Sequence, residues 1–210
     1  MFPSLGFSNP RFMSFELEML TRNLCKRTTI SPEELSIISS KFQRQEVAKN
    51  QFLLKGGRTC KAIYYVYRGC CKSYIFDSLG KKRVIMFAFA DWWITDIDSF
   101  TNGHQSKINI QSTVGSILYK LTKENFNELI SGFPSFETAF RNMMQFSYIR
   151  EQRRSLELIT DDAPTRYLNL TNRYPNIEQD ASQKDIASYL GITPEFLSAL
   201  KKKLLKEGRS

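Results

Sequence analysis

The 210-residue chain has one histidine, His104, and that scarcity removes several kinds of chemistry at once. A jelly-roll metalloenzyme needs two or three histidines with a carboxylate, and a serine hydrolase needs one held as a base. His104 stands beside Gly103 in a turn-forming stretch, which suits neither task nor the axial ligation of haem. Gly-x-Ser-x-Gly, P-loop and dinucleotide fingerprints are missing too, so no catalytic residue is assigned and the chain reads as a non-enzyme. Long apolar runs are also lacking. The longest, Val84 to Ala90, is of strand length, well short of the roughly 18 residues of a membrane helix. Met1 to Ser8 has neither a basic leader nor an unbroken apolar block, so a cytoplasmic protein with no membrane partner is expected. The four cysteines (Cys25, Cys60, Cys70, Cys71) have no disulfide-framework or metal-cluster spacing, and reduced thiols with no metal or cofactor are expected.

Thirty lysines and arginines against 21 aspartates and glutamates leave a formal charge of +9. That excess favours a polyanionic partner. From Asp161 onward, eight basic residues meet seven acidic ones, so net charge alone marks no binding end. Within Ala199 to Ser210, however, five basic residues stand against one acidic. At 41% hydrophobic and 13% aromatic the chain can bury a real core, and its length suits one medium and one small domain.

From Ser14 to Phe42 the apolar spacing is helical, and Ser31-Pro32-Glu33-Glu34 reads as a cap, a first-turn proline and early carboxylates. Residues 43–122 switch to β-branched and aromatic runs cut by Gly56-Gly57, Arg68-Gly69, Asp77 to Gly80 and Thr101-Asn102-Gly103. This pattern predicts seven or eight short antiparallel strands in a sandwich or jelly roll. After Lys123 the period becomes 3.6. The spacing predicts one helix from Pro134 to Thr160, about 40 Å long at 1.5 Å per residue and longer than one face of a small β-domain requires. Its stripe of Phe136, Ala139, Phe140, Met143, Phe146 and Ile149 is expected to form a homodimer interface, the alternative being burial inside the chain as a bridge. Asp161-Asp162-Ala163-Pro164 then caps and starts a further helix that Pro175 stops.

Ser182 to Leu204 reads as two helices and one tight turn. Ser182 caps the first, with Asp185 in capping-box relation, and Gly191 supplies the left-handed residue that ends it. Thr193 caps the second and Pro194 takes its first position, while Ile186, Leu190, Ile192, Leu197 and Leu200 form the inner face and Ala187 is small where helices cross. These are the constraints of a helix-turn-helix. A second helix lying in the major groove of double-stranded DNA would turn Thr193, Pro194, Glu195, Ser198 and Ala199 toward bases, with Gln183 close by. Lys201, Lys202, Lys203 and Lys206 read as phosphate contacts.

With a roll, a long helix and a C-terminal helix-turn-helix in that order, the chain from about Ser31 resembles the bacterial Crp/Fnr family of transcription regulators. Phe52 to Gly57, Ile63 to Gly69 and Cys71 to Tyr74 are similar to that family's strand-glycine-strand pattern, and Gln183 to Leu204 to its helix-turn-helix. The resemblance implies an α+β fold with an antiparallel roll and flanking helices (1–132), a long dimerisation helix (133–160) and an all-α DNA-binding domain (161–210). It also implies a homodimer on two-fold symmetric DNA and contacts with RNA polymerase. The stretch similar to the family's phosphate cassette supplies the effector-pocket candidates Trp93, Thr95, Asp96, Ile97, Ser106 and Lys107. Asp96 falls where a ribose-binding carboxylate is expected, but Ser106 stands in place of the phosphate-pairing arginine and Lys107 would project to the opposite face. The expected effector is therefore an unidentified small molecule other than cyclic AMP. Ala199 replaces a base-reading arginine of many relatives, and only Glu207 to Ser210 follow the last helix, so the usual wing is expected to be absent or truncated. The alternative is a weakly specific DNA-binding or protein-interaction module with a purely structural roll.

Overall fold

The computed structural model describes residues 15–26 and 28–207. Two helices lead in, α1 (Phe15–Cys25) and α2 (Pro32–Ser40). The second begins as its sequence dictates: the Ser31 hydroxyl accepts from the Glu34 amide, and the Glu34 carboxylate accepts from the Ser31 amide.

Eight short strands follow, β1 (Gln43–Val47), β2 (Phe52–Leu54), β3 (Ala62–Arg68), β4 (Cys71–Phe76), β5 (Lys82–Ala88), β6 (Trp92–Ile94), β7 (Asn109–Ser112) and β8 (Ser116–Thr122). They form two four-stranded antiparallel sheets, β1-β8-β3-β6 and β2-β7-β4-β5. β3 lies between β8 and β6 and is buried almost throughout, which explains its unbroken run of Ala62-Ile63-Tyr64-Tyr65-Val66. The β3–β4 turn needs Gly69: φ is +95°, and a Cβ there would lie 2.2 Å from the Ser116 hydroxyl and 2.9 Å from its Cα.

α3 (Ile97–Asn102) interrupts the strands after β6, and α4 (Lys123–Gly132) leads into α5 (Pro134–Thr160), which has the bounds its periodicity predicts. The stripe on α5 divides. Phe136, Ala139 and Met143 are buried within the chain itself, and Phe140 packs edge-on against Phe126 with ring centroids 4.7 Å apart. These four were expected at a dimer interface and belong to the protomer's own packing, because the first half of α5 lies against α4 and α1. The later part of the stripe is exposed at Phe146 (58%) and Ile149 (42%), and so are Leu156 (59%) and Ile159 (82%) further along α5.

Four more helices follow among the described residues: α6 (Ala163–Arg173), α7 (Ile177–Asp180), α8 (Gln183–Leu190) and α9 (Pro194–Glu207). Asp162 caps α6 by accepting from the Thr165 amide at 2.9 Å. Their core of Tyr167, Leu170, Ile177, Ile186, Ala187, Leu190, Leu197 and Leu200 is continuous with Tyr74, Val84 and Phe87 of the second sheet and with Cys70 just before β4. The helical end is thus packed back against the roll. The four thiols are free, with Cys60, Cys70 and Cys71 buried. No helix among the described residues is long and apolar enough to cross a membrane.

Candidate nucleic-acid interface

α8, the turn and α9 are built by local chemistry. The Ser182 hydroxyl accepts from the Asp185 amide at 3.1 Å, Gly191 takes φ +72° and closes α8, and the Ile192 amide returns to the Ala187 carbonyl at 3.0 Å. The Thr193 hydroxyl then accepts from the Phe196 amide at 3.1 Å, so the cap expected of Thr193 is formed. Ala187 is fully buried where α8 meets α9, and Leu197 and Leu200 seat α9 on the core.

The opposite side of α9 faces outward. Thr193, Glu195, Ala199, Lys202, Lys203 and Lys206 are exposed, Pro194 and Ser198 are half-buried, and Gln183 is exposed at the start of α8. Lys201 departs from its expected role, since its ammonium lies 2.6 Å from Glu178 and links α9 to α7. Gly208 to Ser210, on which the expectation about the wing falls, lie outside the described residues.

The sequence reading missed what holds this unit against the roll. Asp185 is buried between two lysines of the second sheet, with its Oδ2 2.7 Å from Lys72 Nζ and its Oδ1 2.6 Å from Lys82 Nζ. The Lys72 and Asp185 side chains are only 5% and 4% exposed. Burial pushes the Asp185 carboxyl upward, but hydrogen bonds from Lys72, Lys82 and Ser182 outweigh it and hold the group below the usual carboxylate range. The Ser188 hydroxyl donates to the Lys82 carbonyl at 3.0 Å and accepts from the Val84 amide at 2.9 Å, pairing the α8 surface with the backbone of β5. Tyr189 packs against Phe87, and Tyr174 stacks on Phe89 at 4.2 Å. From the other side, Arg154 of α5 donates to the Tyr189 carbonyl and Arg166 of α6 to the Leu190 carbonyl, each at 3.2 Å, which satisfies the last turn of α8. One signal for this seam was available. Lys72 lies in the apolar run Cys70 to Phe76 on the same strand face as Tyr74, and a buried lysine needs a counter-ion.

The effector-pocket candidates do not converge on an open anion site. Asp96 caps α3 by accepting from the Ser99 amide, and its other oxygen takes the Ser106 hydroxyl at 2.5 Å. Both residues are buried, so the acidic group expected to face a ligand is spent on its own segment. Thr95 donates to the Ala62 carbonyl, Ile97 is exposed, and Lys107 is exposed while Ser106 is not, as alternation expects. Trp93 turns away from this group: its indole donates to Asn23 of α1 at 2.9 Å and packs on Phe42 and Tyr65. The indole is therefore a tie between α1 and the roll. With no guanidinium at position 106, these residues do not fit the phosphate of a cyclic nucleotide. His104 is exposed beside Asp98, whose carboxylate raises its pKa. Among the described residues no group of His, Cys, Asp and Glu is placed to hold a metal.

Comparison with known proteins agrees with this geometry. Residues 44–132 match the cyclic nucleotide-binding domain family. The chain is 25% identical over 197 residues to the fumarate and nitrate reduction regulatory protein of Salmonella typhi, covering 88% of this chain and 78% of that one. The Escherichia coli K12 protein of the same name is 24% identical with the same coverage. Among solved structures, the c-di-GMP-responsive regulator CLP of Xanthomonas campestris superposes with a TM-score of 0.65 at 13% identity, over 85% of this chain and 93% of that one. FixK2 of Bradyrhizobium japonicum gives 0.67 at 16% identity, over 80% and 86%. Residues 44–132 thus form a cyclic nucleotide-binding-like domain, and the chain as a whole is similar in sequence and in fold to Crp/Fnr-type transcription regulators.

Proposed function

We propose that the protein is a homodimeric, sequence-specific DNA-binding regulator whose roll responds to a small molecule other than a cyclic nucleotide. The observation that carries this reading is α9, seated by Leu197 and Leu200 with Thr193, Glu195, Ala199 and Lys202 turned outward. In a major groove, Glu195 would accept from a cytosine amino group and Ser198 would reach several bases, while Lys202, Lys203 and Lys206 would meet phosphates. Two such helices need a two-fold partner, and the exposed Ile149, Leu156 and Ile159 on α5 supply a stripe for a second copy. RNA polymerase would be a further partner if the protein activates transcription.

The seam between α8 and the roll supports a route for control. A change in the second sheet that shifted Lys72 or Lys82 would alter the seat of α8 directly, and the chain would turn at Thr160 to Pro164, between α5 and α6. Selection of genomic fragments by the purified full-length protein, followed by sequencing, tests the proposal. Enrichment of an inverted repeat with half-sites about one helical turn apart is expected. Salt-dependent binding with no enriched motif would overturn sequence specificity and leave a nonspecific DNA-binding module.

A further inference from the structure

The last turn of α8 is held by guanidiniums from two other helices, and beside them lies a small cavity. Arg154 and Glu157 of α5, Arg166, Asn169 and Arg173 of α6 and Tyr189 of α8 line it, and its volume is about 20 Å3. One water needs roughly 10 to 15 Å3, so the space admits a single small occupant and no organic effector.

The donors around it are not fully used. Arg154 gives one terminal nitrogen to the Tyr189 carbonyl and lies over the Tyr189 ring, its guanidinium carbon 4.3 Å from the centroid. Arg166 gives its two terminal nitrogens to the Asp161 and Leu190 carbonyls. The Nε atoms of Arg154 and Arg166 are both buried, and neither has a hydrogen-bond partner among the described residues. A guanidinium cannot shed its charge, and a buried donor left unpaired costs free energy. Three guanidiniums line the cavity against one carboxylate, Glu157, which lies 3.4 Å from Arg173. Outside it, Glu151 takes Arg150 at 3.1 Å and approaches Arg154 only to 3.9 Å. The nearby carbonyls of Asp161, Tyr189 and Leu190 already accept from guanidiniums. The surroundings are therefore rich in donors and poor in acceptors. Water, which must also donate, suits them less well than a species that only accepts.

We propose that this cavity binds one monatomic anion of chloride size, which accepts from the Nε–H groups of Arg154 and Arg166. Such an ion would offset the excess of cations through charge-assisted hydrogen bonds. It would also tie the end of α5, α6 and the last turn of α8 together across the turn at 160–164, so that anion identity, and not ionic strength alone, would govern how firmly the helical end is held. None of Thr95, Asp96, Ile97, Ser106 or Lys107 and none of the outward residues of α9 lines the cavity, so the site is separate from the cassette and from the candidate DNA surface. Binding stands on three helices alone, and only its consequence for DNA rests on the regulator reading.

The test has a crystal arm and a solution arm, both on the full-length protein. In crystals soaked in bromide, the anomalous signal is expected between the side chains of Arg154 and Arg166. In solution, amide exchange in the last turn of α8 is compared in chloride and in gluconate at equal ionic strength. Chloride at about 10 times its dissociation constant is expected to slow that exchange roughly 10-fold. Arg154→Lys and Arg166→Lys each keep the positive charge and remove the Nε donor, and each is expected to weaken the chloride effect about 10-fold, the loss of one hydrogen bond to a charged group. Lys202→Ala is expected to leave it unchanged. A water in the cavity, or bromide on the lysines of α9 with none in the cavity, would overturn the proposal and leave an adventitious ion only. Equal exchange in the two salts would overturn it as binding at crystal concentration only. A chloride effect that persists in both lysine variants would reduce it to screening, and displacement of bromide by less sulfate than chloride would make the site one for oxyanions. Should the variants fail to fold, the bromide position and the chloride–gluconate comparison in the unaltered protein still decide. Failure of the genomic selection would leave both arms unaffected, so the two readings can fail separately.

Discussion

Where α5 leaves the roll, Phe136, Ala139 and Met143 are buried beneath a cluster completed by Phe126 and Phe140. Where α8 meets the roll, the contact turns on Asp185 between Lys72 and Lys82 and on a serine hydroxyl exchanging hydrogen bonds with strand backbone. Both seams also contain rings, but their weakest points differ. An apolar cluster is indifferent to pH and loses stability only as area or volume is removed. A buried charge pair is conditional on both partners and on their protonation, and nearly offsets its own desolvation while intact. The contrast marks the α8 seam as the one that can open while the roll stays folded.

Phe136→Ala tests the apolar seam with the largest effect. It is expected to cost about 4 kcal/mol of global stability, lowering the denaturation midpoint of roll and helices together. A transition confined to the helical end would break the contrast. Asp185→Ala tests the other seam and leaves Lys72 buried without its carboxylate, at a cost of about 3 kcal/mol. Hydrogen exchange is expected to rise in α8 and β5 while protection in β3 and β8 is kept. If β3 lost protection equally, the two seams would be one cooperative unit.

Acidification sharpens the same point without mutation. Because the folded-state pKa of Asp185 lies below its unfolded value, its contribution is fully present above the ordinary carboxylate range and is lost as pH falls through the depressed folded value. Exchange protection of α8 is therefore expected to hold at pH 6 and fall below about pH 4, ahead of β3. Asp185→Asn should remove that step. The smallest effect is expected at Lys202→Ala, which leaves both seams intact, weakens binding to all DNA sequences alike and flattens the logarithmic salt dependence by about one. Glu195→Ala, by contrast, is expected to change which bases are preferred.

Much of this was legible because it is local. Ser31, Ser182, Thr193 and Gly191 cap or close helices through bonds to residues within a few positions, and the strand runs end at the glycines that their turns require. The α5 stripe was legible as a stripe, but period alone cannot say whether an apolar face meets its own chain or a second copy, and Phe136 to Met143 went to the former. Trp93 was assigned to the pocket by its proximity in sequence to Asp96, yet the strand turns it toward Asn23, 70 positions earlier.

The sequence by itself determined the elements, their order, the helix-turn-helix and the loss of the phosphate-pairing arginine, since capping, periodicity and residue identity act over a few positions. The tertiary structure alone decided that Asp96 closes on Ser106 and that Lys72 meets Asp185 across 113 positions of chain. Pairings at that distance depend on how the two sheets and the helices pack, and neither partner's neighbours in sequence carry that information.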